Sequence, residues 1–173
     1  MNQKISSFSL IVIFLLSVFI ISSCQKDPIL GDVVIDNELR EYLYSNSTDT
    51  LTIENQKLVI NTELYRDFFP GGPPPSSRPL IASIDMVNID SIQIQSNLDI
   101  IKLYVINNEE MWISTPTSCD NCYLPDFVLR KTSTDGPEWE TNIYVDVVVE
   151  ITNFDTSIKY YLMTKDQLIY KVE

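Results

Sequence analysis

From Thr50 onward, apolar and polar positions alternate with a period of two, the pattern of strands that bury one face. Leu51 and Ile53 alternate with Thr52 and Glu54. Leu58, Ile60, Thr62 and Leu64 alternate with Val59, Asn61, Glu63 and Tyr65. Ile84 and Met86 follow, then Ile92 and Ile94. Ile100 to Ile106 is apolar except for Lys102 and reads as a central strand. Asn107-Asn108 reads as a turn, because Asn tolerates positive φ, and Met111-Trp112-Ile113 comes after it. The most regular strand is Ile143 to Ile151. One face is Ile143, Val145, Val147, Val149 and Ile151, all β-branched. The other, expected to be wetter, is Tyr144, Asp146, Val148 and Glu150. Ile158–Thr164 and Gln167–Val172 read as a closing hairpin around Lys165-Asp166. One short helix is expected through Glu38 to Leu43, capped by Asp36 or Asn37, with Leu39, Tyr42 and Leu43 on one face.

Short alternating strands without intervening helical patterns predict an all-β chain. The specific expectation is an antiparallel immunoglobulin-like β-sandwich of about seven to nine strands over residues 32–173. The Cys…Trp…Cys signature of antibody domains is absent, which leaves the family within that architecture open. No repeat of 20–50 residues is present, which excludes solenoids and propellers.

The first residues follow a different rule. Met1 to Ser7 carries one positive charge, Lys4; Phe8 to Ile21 is apolar apart from Ser9 and Ser17; Ser22, Ser23 and Cys24 follow. That order predicts a signal peptide over 1–23, because the apolar run is shorter than the roughly 20 residues of a spanning helix. Ile21-Ser22-Ser23-Cys24 resembles the lipobox of bacterial lipoproteins. The resemblance implies cleavage before Cys24, diacylglycerol on its thiol, and a membrane anchor with a tether over 24–31. Two or more acyl chains anchor stably, whereas one is marginal. Gln25-Lys26-Asp27 resembles the export signal of Bacteroidota surface lipoproteins, with Pro28 in place of a second acidic residue. It implies the outer membrane, facing the exterior; a periplasm-facing location is the alternative.

Residues 24–173 carry 11 basic and 24 acidic side chains, a net charge of −13. This argues against nucleic acid and against a basic lipid-binding patch. The chain has no His, which removes the commonest general base and metal ligand and rules out Ser-His-Asp or Cys-His catalysis. Beyond Cys24 only Cys119 and Cys122 remain. They are expected to form a small-loop disulfide outside the cytoplasm, since a zinc ribbon would need a second such pair. No cofactor or metal ion is implied.

Two surfaces stand out. Pro70 to Pro79 holds five of the nine prolines and two of the four glycines, and Pro73, Pro74 and Pro75 favour stiff polyproline II. Arg66, Asp67, Phe68 and Phe69 precede it and Arg78 lies within it. This segment is either a connection or a rigid loop offered to a partner. Asn61 to Ala82 resembles a motif of small extracellular domains of the same lipoprotein class, a resemblance that implies no activity. The second surface is aromatic: Trp112, Trp139 and Tyr144 are candidate glycan platforms, with core packing as the alternative. The carboxylates show no spacing diagnostic of a hydrolase. The expected function is therefore a non-enzymatic interaction or structural module at the cell envelope, with a glycan-binding accessory protein as the alternative.

Overall fold

The structure is a computed structural model and describes residues 32–71, 74, 78–119 and 122–173. The expected leader, Cys24, the tether, Pro73 and Pro75 lie outside the described residues. In chain order the elements are β1 (Val33–Val34), α1 (Asn37–Asn46), β2 (Ser47–Thr48), β3 (Leu51–Ile53), β4 (Gln56–Asp67) and β5 (Ile81–Asn88). Then come β6 (Leu98–Asn107), β7 (Glu110–Ser114), β8 (Thr117–Ser118), β9 (Val128–Ser133), β10 (Ile143–Asn153) and β11 (Ile158–Val172).

The all-β expectation holds, with one helix. The strands do not divide into two separately bonded antiparallel sheets. They form one 11-stranded sheet with the order β1-β7-β6-β10-β11-β4-β5-β9-β8, and off this path β2 lies beside β11 and β3 beside β4. The sheet is mixed: β11 runs parallel to both β2 and β4. It curls, because a single core gathers side chains from widely separated strands of the path, among them Ile84 and Met86 of β5, Trp112 of β7 and Val147 and Val149 of β10.

A second apolar layer lies on the outer face. Tyr104, Ile106, Met111, Ile113, Val148 and Met163 pack there with Leu43 of α1. The helix begins as the sequence predicts: Asp36 accepts from the Leu39 N–H at 2.9 Å, satisfying one of the orphan donors of the first turn. The two layers explain the near-continuous apolar run of β6. A register break opposite Glu150/Ile151 lets Ile100 and Leu103 both reach the inner core, while Tyr104 and Ile106 face the helix.

Three local expectations are corrected. The face opposite Val145 and Val147 is not wet at Glu150, which is 3% exposed. There Tyr104 donates to Glu150 Oε2 at 3.1 Å, and Lys159 Nζ stands 2.7 Å from Oε1, an ion-pair distance without hydrogen-bond alignment. The Lys165-Asp166 hairpin does not exist: β11 is one strand of 15 residues. The turn after β6 is Asn108-Glu109, one residue later than expected, with Asn108 at φ +55. No helix among the described residues is long and apolar enough to cross a membrane.

Candidate functional site

Three turns meet at one end of the sheet. β3 and β4 are joined by Glu54-Asn55, since Ile53 pairs with Gln56. Both turn residues are left-handed, φ +46 and +69, as a two-residue hairpin of the favoured hand requires. A Glu in that region is uncommon and strained. The connection from β5 to β6 brings Gln93, Gln95 and Asn97 alongside. The turn from β10 to β11 adds Phe154, Asp155 and Thr156. Between them lies a cleft of about 790 Å³.

The cleft is polar and its side chains are held in place. Gln95 Nε2 donates to Glu54 Oε2 at 2.9 Å, and Asn97 Nδ2 donates to Asp155 Oδ2 at 2.7 Å. Asn153, 2% exposed, is the hub: its Oδ1 accepts from the N–H groups of Asp155 and Thr156 at 3.0 and 3.2 Å. Gln56 Nε2 anchors the opposite wall on Gln93 O at 2.5 Å, and Phe154 N donates to Asn97 O at 2.8 Å. Phe154 itself projects, 59% exposed. No Lys or Arg lines the cleft. Planar amides and carboxylates beside an exposed aromatic ring can bind hydroxyl groups and stack on an apolar sugar face.

The sequence reasoning missed this site. Its residues sit in three turns far apart in the chain, and only the topology brings them together. The available signal was compositional: each of the three turns carries at least one amide and one carboxylate side chain, Glu54 and Asn55, then Asp90, Gln93, Gln95 and Asn97, then Asn153 and Asp155.

The predicted sites are placed as follows. Trp112 is fully buried in the inner core and cannot stack on a glycan. Its ring packs so near Gly136 that a Cβ there would meet the Trp112 edge at 2.9 Å and Leu80 O at 2.7 Å. Trp139 is half-buried and donates through Nε1 to Glu110 Oε2 at 2.7 Å. Tyr144 is exposed. The three do not form one platform.

At the base of the proline-rich loop, Arg66 and Arg78 are both buried. Arg66 Nε donates to Arg78 O at 2.8 Å, and one of its terminal nitrogens reaches Trp139 O at 2.9 Å. Arg78 donates to Asp67 O at 2.9 Å. Asp67 Oδ1 accepts from Phe69 N at 2.8 Å. The Arg66, Arg78 and Lys171 cations lie 5.3, 5.5 and 5.1 Å from the Phe68 ring centre. Phe69 is half exposed and Pro74 exposed. The two arginines therefore clasp the loop's ends. Cys119 and Cys122 form a disulfide, Cα–Cα 5.5 Å. No group of three or more metal-ligating side chains occurs among the described residues.

Comparison with protein-family models, with curated proteins and with solved structures finds no match to this chain.

Proposed function

We infer that this chain is a lipid-anchored envelope protein, held by Cys24 in the outer membrane, whose folded domain is a non-enzymatic binding module for a hydroxyl-rich glycan. The cleft carries this reading. Its amides and carboxylates are fixed by one another before any ligand arrives, which lowers the ordering cost of binding, and Phe154 offers the apolar face that sugars stack on. The membrane anchor rests on the lipobox and the export-like signal. An immunoglobulin-like relation belongs to the same proposal, supported by domain size and strand alternation; the parallel β4–β11 pair departs from it.

A second reading has its own observation. The clasp of Arg66 and Arg78 presents Phe69 and the proline-rich segment from a rigid base, which suits a protein partner. One experiment separates the two. The full-length chain in detergent is titrated with a panel of neutral oligosaccharides by calorimetry, alongside Asn97→Ala, Phe154→Ala and a Gly72–Ser76 deletion. Binding lost in the two cleft variants and kept in the deletion supports the glycan reading. Binding lost only with the deletion moves the site to the loop. A panel with no binder rejects the glycan reading.

A further inference from the structure

The ladder between β4 and β11 is interrupted. At its far end Ile169–Val172 pair with Leu64–Asp67. Nearer the cleft, β11 pairs with β2 through Tyr161 and Leu162, while β4 pairs with β3 through Gln56 to Leu58. Between these stretches, residues 163–168 of β11 and 59–63 of β4 are not in a paired register, and a side-chain bond from Thr62 Oγ1 to Gln167 Oε1 at 2.9 Å joins the two strands there. A second cavity of about 480 Å³ opens at this gap. The cavity is lined by Ile60 of β4 and by Met163, Thr164 and Lys165 of β11, with Ile60 and Met163 as its apolar floor.

Its mouth carries one charge of each sign. Lys165 Nζ lies 5.6 Å from the centre of the Tyr44 ring, and Lys165 makes no ion pair among the described residues. Asp49 lines the same cavity, is exposed and likewise lacks an ion pair. The two are therefore more than 4.0 Å apart. The setting of Lys165 is built. Asp146 Oδ2 accepts from the Tyr44 hydroxyl at 2.7 Å, and Asp146 Oδ1 accepts from Asp166 N at 2.9 Å. One carboxylate thus fixes both the ring under Lys165 and the β-bulge that carries Lys165. Bulges often re-aim a side chain in this way.

We propose that this cavity binds a short zwitterionic peptide of two or three residues. Its carboxylate meets Lys165, its ammonium meets Asp49, its peptide groups meet β4 and β11 where their paired register is interrupted, and one side chain rests on Ile60 and Met163. Pairing of this kind gives affinity through the main chain and selectivity through alternate side chains. The volume lies in the range of small-ligand pockets and exceeds what a single amino acid fills. The site is independent of the glycan cleft.

The test is calorimetric titration of the full-length chain in detergent with tri-alanine bearing free termini. Its N-acetylated form, its C-amidated form and free alanine are titrated in parallel. Saturable binding of the free tripeptide, weakened about tenfold or more by either blocked terminus and by Lys165→Met or Asp49→Asn, is the expected result. Asn97→Ala in the glycan cleft should leave it unchanged. Equal binding of blocked and free peptides overturns the proposal, as does absence of saturable binding at millimolar peptide. If both charge variants lose binding together with their native far-ultraviolet dichroism, the blocked-peptide comparison on the wild-type chain decides.

Discussion

Tyr44, near the end of α1, titrates late. Burial, then the hydrogen bond to Asp146 and that carboxylate's charge, push its hydroxyl from the ordinary 10.0 up to about 12. The folded state holds the proton more tightly than the unfolded chain. The resulting stability is complete below pH 10 and is lost as pH rises towards about 12. Tyr104, Tyr161 and Tyr170 are also raised, each chiefly by burial, and act with the same sign. Urea unfolding at stepped alkaline pH should therefore show stability falling through this window, with a shallower fall in Tyr44→Phe. An identical slope in the variant would mean that Tyr44 does not couple to folding. At this scale the sequence was only partly legible. Trp112 sits in the apolar triplet Met111-Trp112-Ile113, so periodicity placed it in a strand but could not say that its face turns inward. Glu150 looked solvated by its charge; Tyr104, donating to one carboxylate oxygen, and Lys159, 2.7 Å from the other, make its burial tolerable.

β11 shows how an element is misread. Lys165-Asp166 between two apolar runs has the chemistry of a turn, and Asp166 does take a left-handed φ of +55. Yet Val145 pairs with Gln167 and Val147 with Thr164, so Lys165 and Asp166 together oppose Asp146. That is a bulge: the strand gains a residue and continues. Whether the chain reverses there depends on what waits beyond it. Here β4 waits, to receive Ile169 to Val172 in parallel, and nothing local announces a partner so distant in sequence. The helix and most of the alternating strands were legible because their signals are local, an Asp cap and a period of two; the alternation at Ile92 and Ile94 instead lies in the connection from β5 to β6. The bulge makes a prediction. Asp166→Val forces a β-branched side chain into positive φ and should cost about 1–3 kcal/mol. Asp166→Gly, free of that penalty, should remain within about 1 kcal/mol of the wild type. Chemical denaturation of both variants measures the difference. Equal costs would show that the left-handed residue is not what holds the register.

For the whole molecule the dominant imbalance is charge. The chain has 24 acidic and 12 basic side chains, so half the carboxylates have no possible basic partner. The ion pairs that do form include one well-aligned case, Arg130 with both oxygens of Asp85 across β5 and β9. Its geometry is bidentate and holds Arg130 above its ordinary pKa. Lys131–Asp99, whose cation is nearly buried at 8% exposure, is a second. Exposed pairs contribute little, and Lys171–Glu173 at the chain end is of that kind. Two opposed effects of salt follow. Screening weakens the pairs, which lowers stability; it also weakens repulsion among the surplus carboxylates, which raises stability. Repulsion acts over the longer distances, where screening is most effective, while a bidentate pair in contact is screened least. Moving from about 0.01 M to about 0.15 M sodium chloride shortens the screening length from about 30 Å to about 8 Å. Repulsion should therefore lose more than attraction. The melting temperature should rise by roughly 2–4 °C, the shift about 1 kcal/mol produces in a domain of this size. Thermal unfolding followed by circular dichroism across that range measures it. A melting temperature that falls with salt would mean that the ion pairs outweigh the surplus negative charge in setting stability.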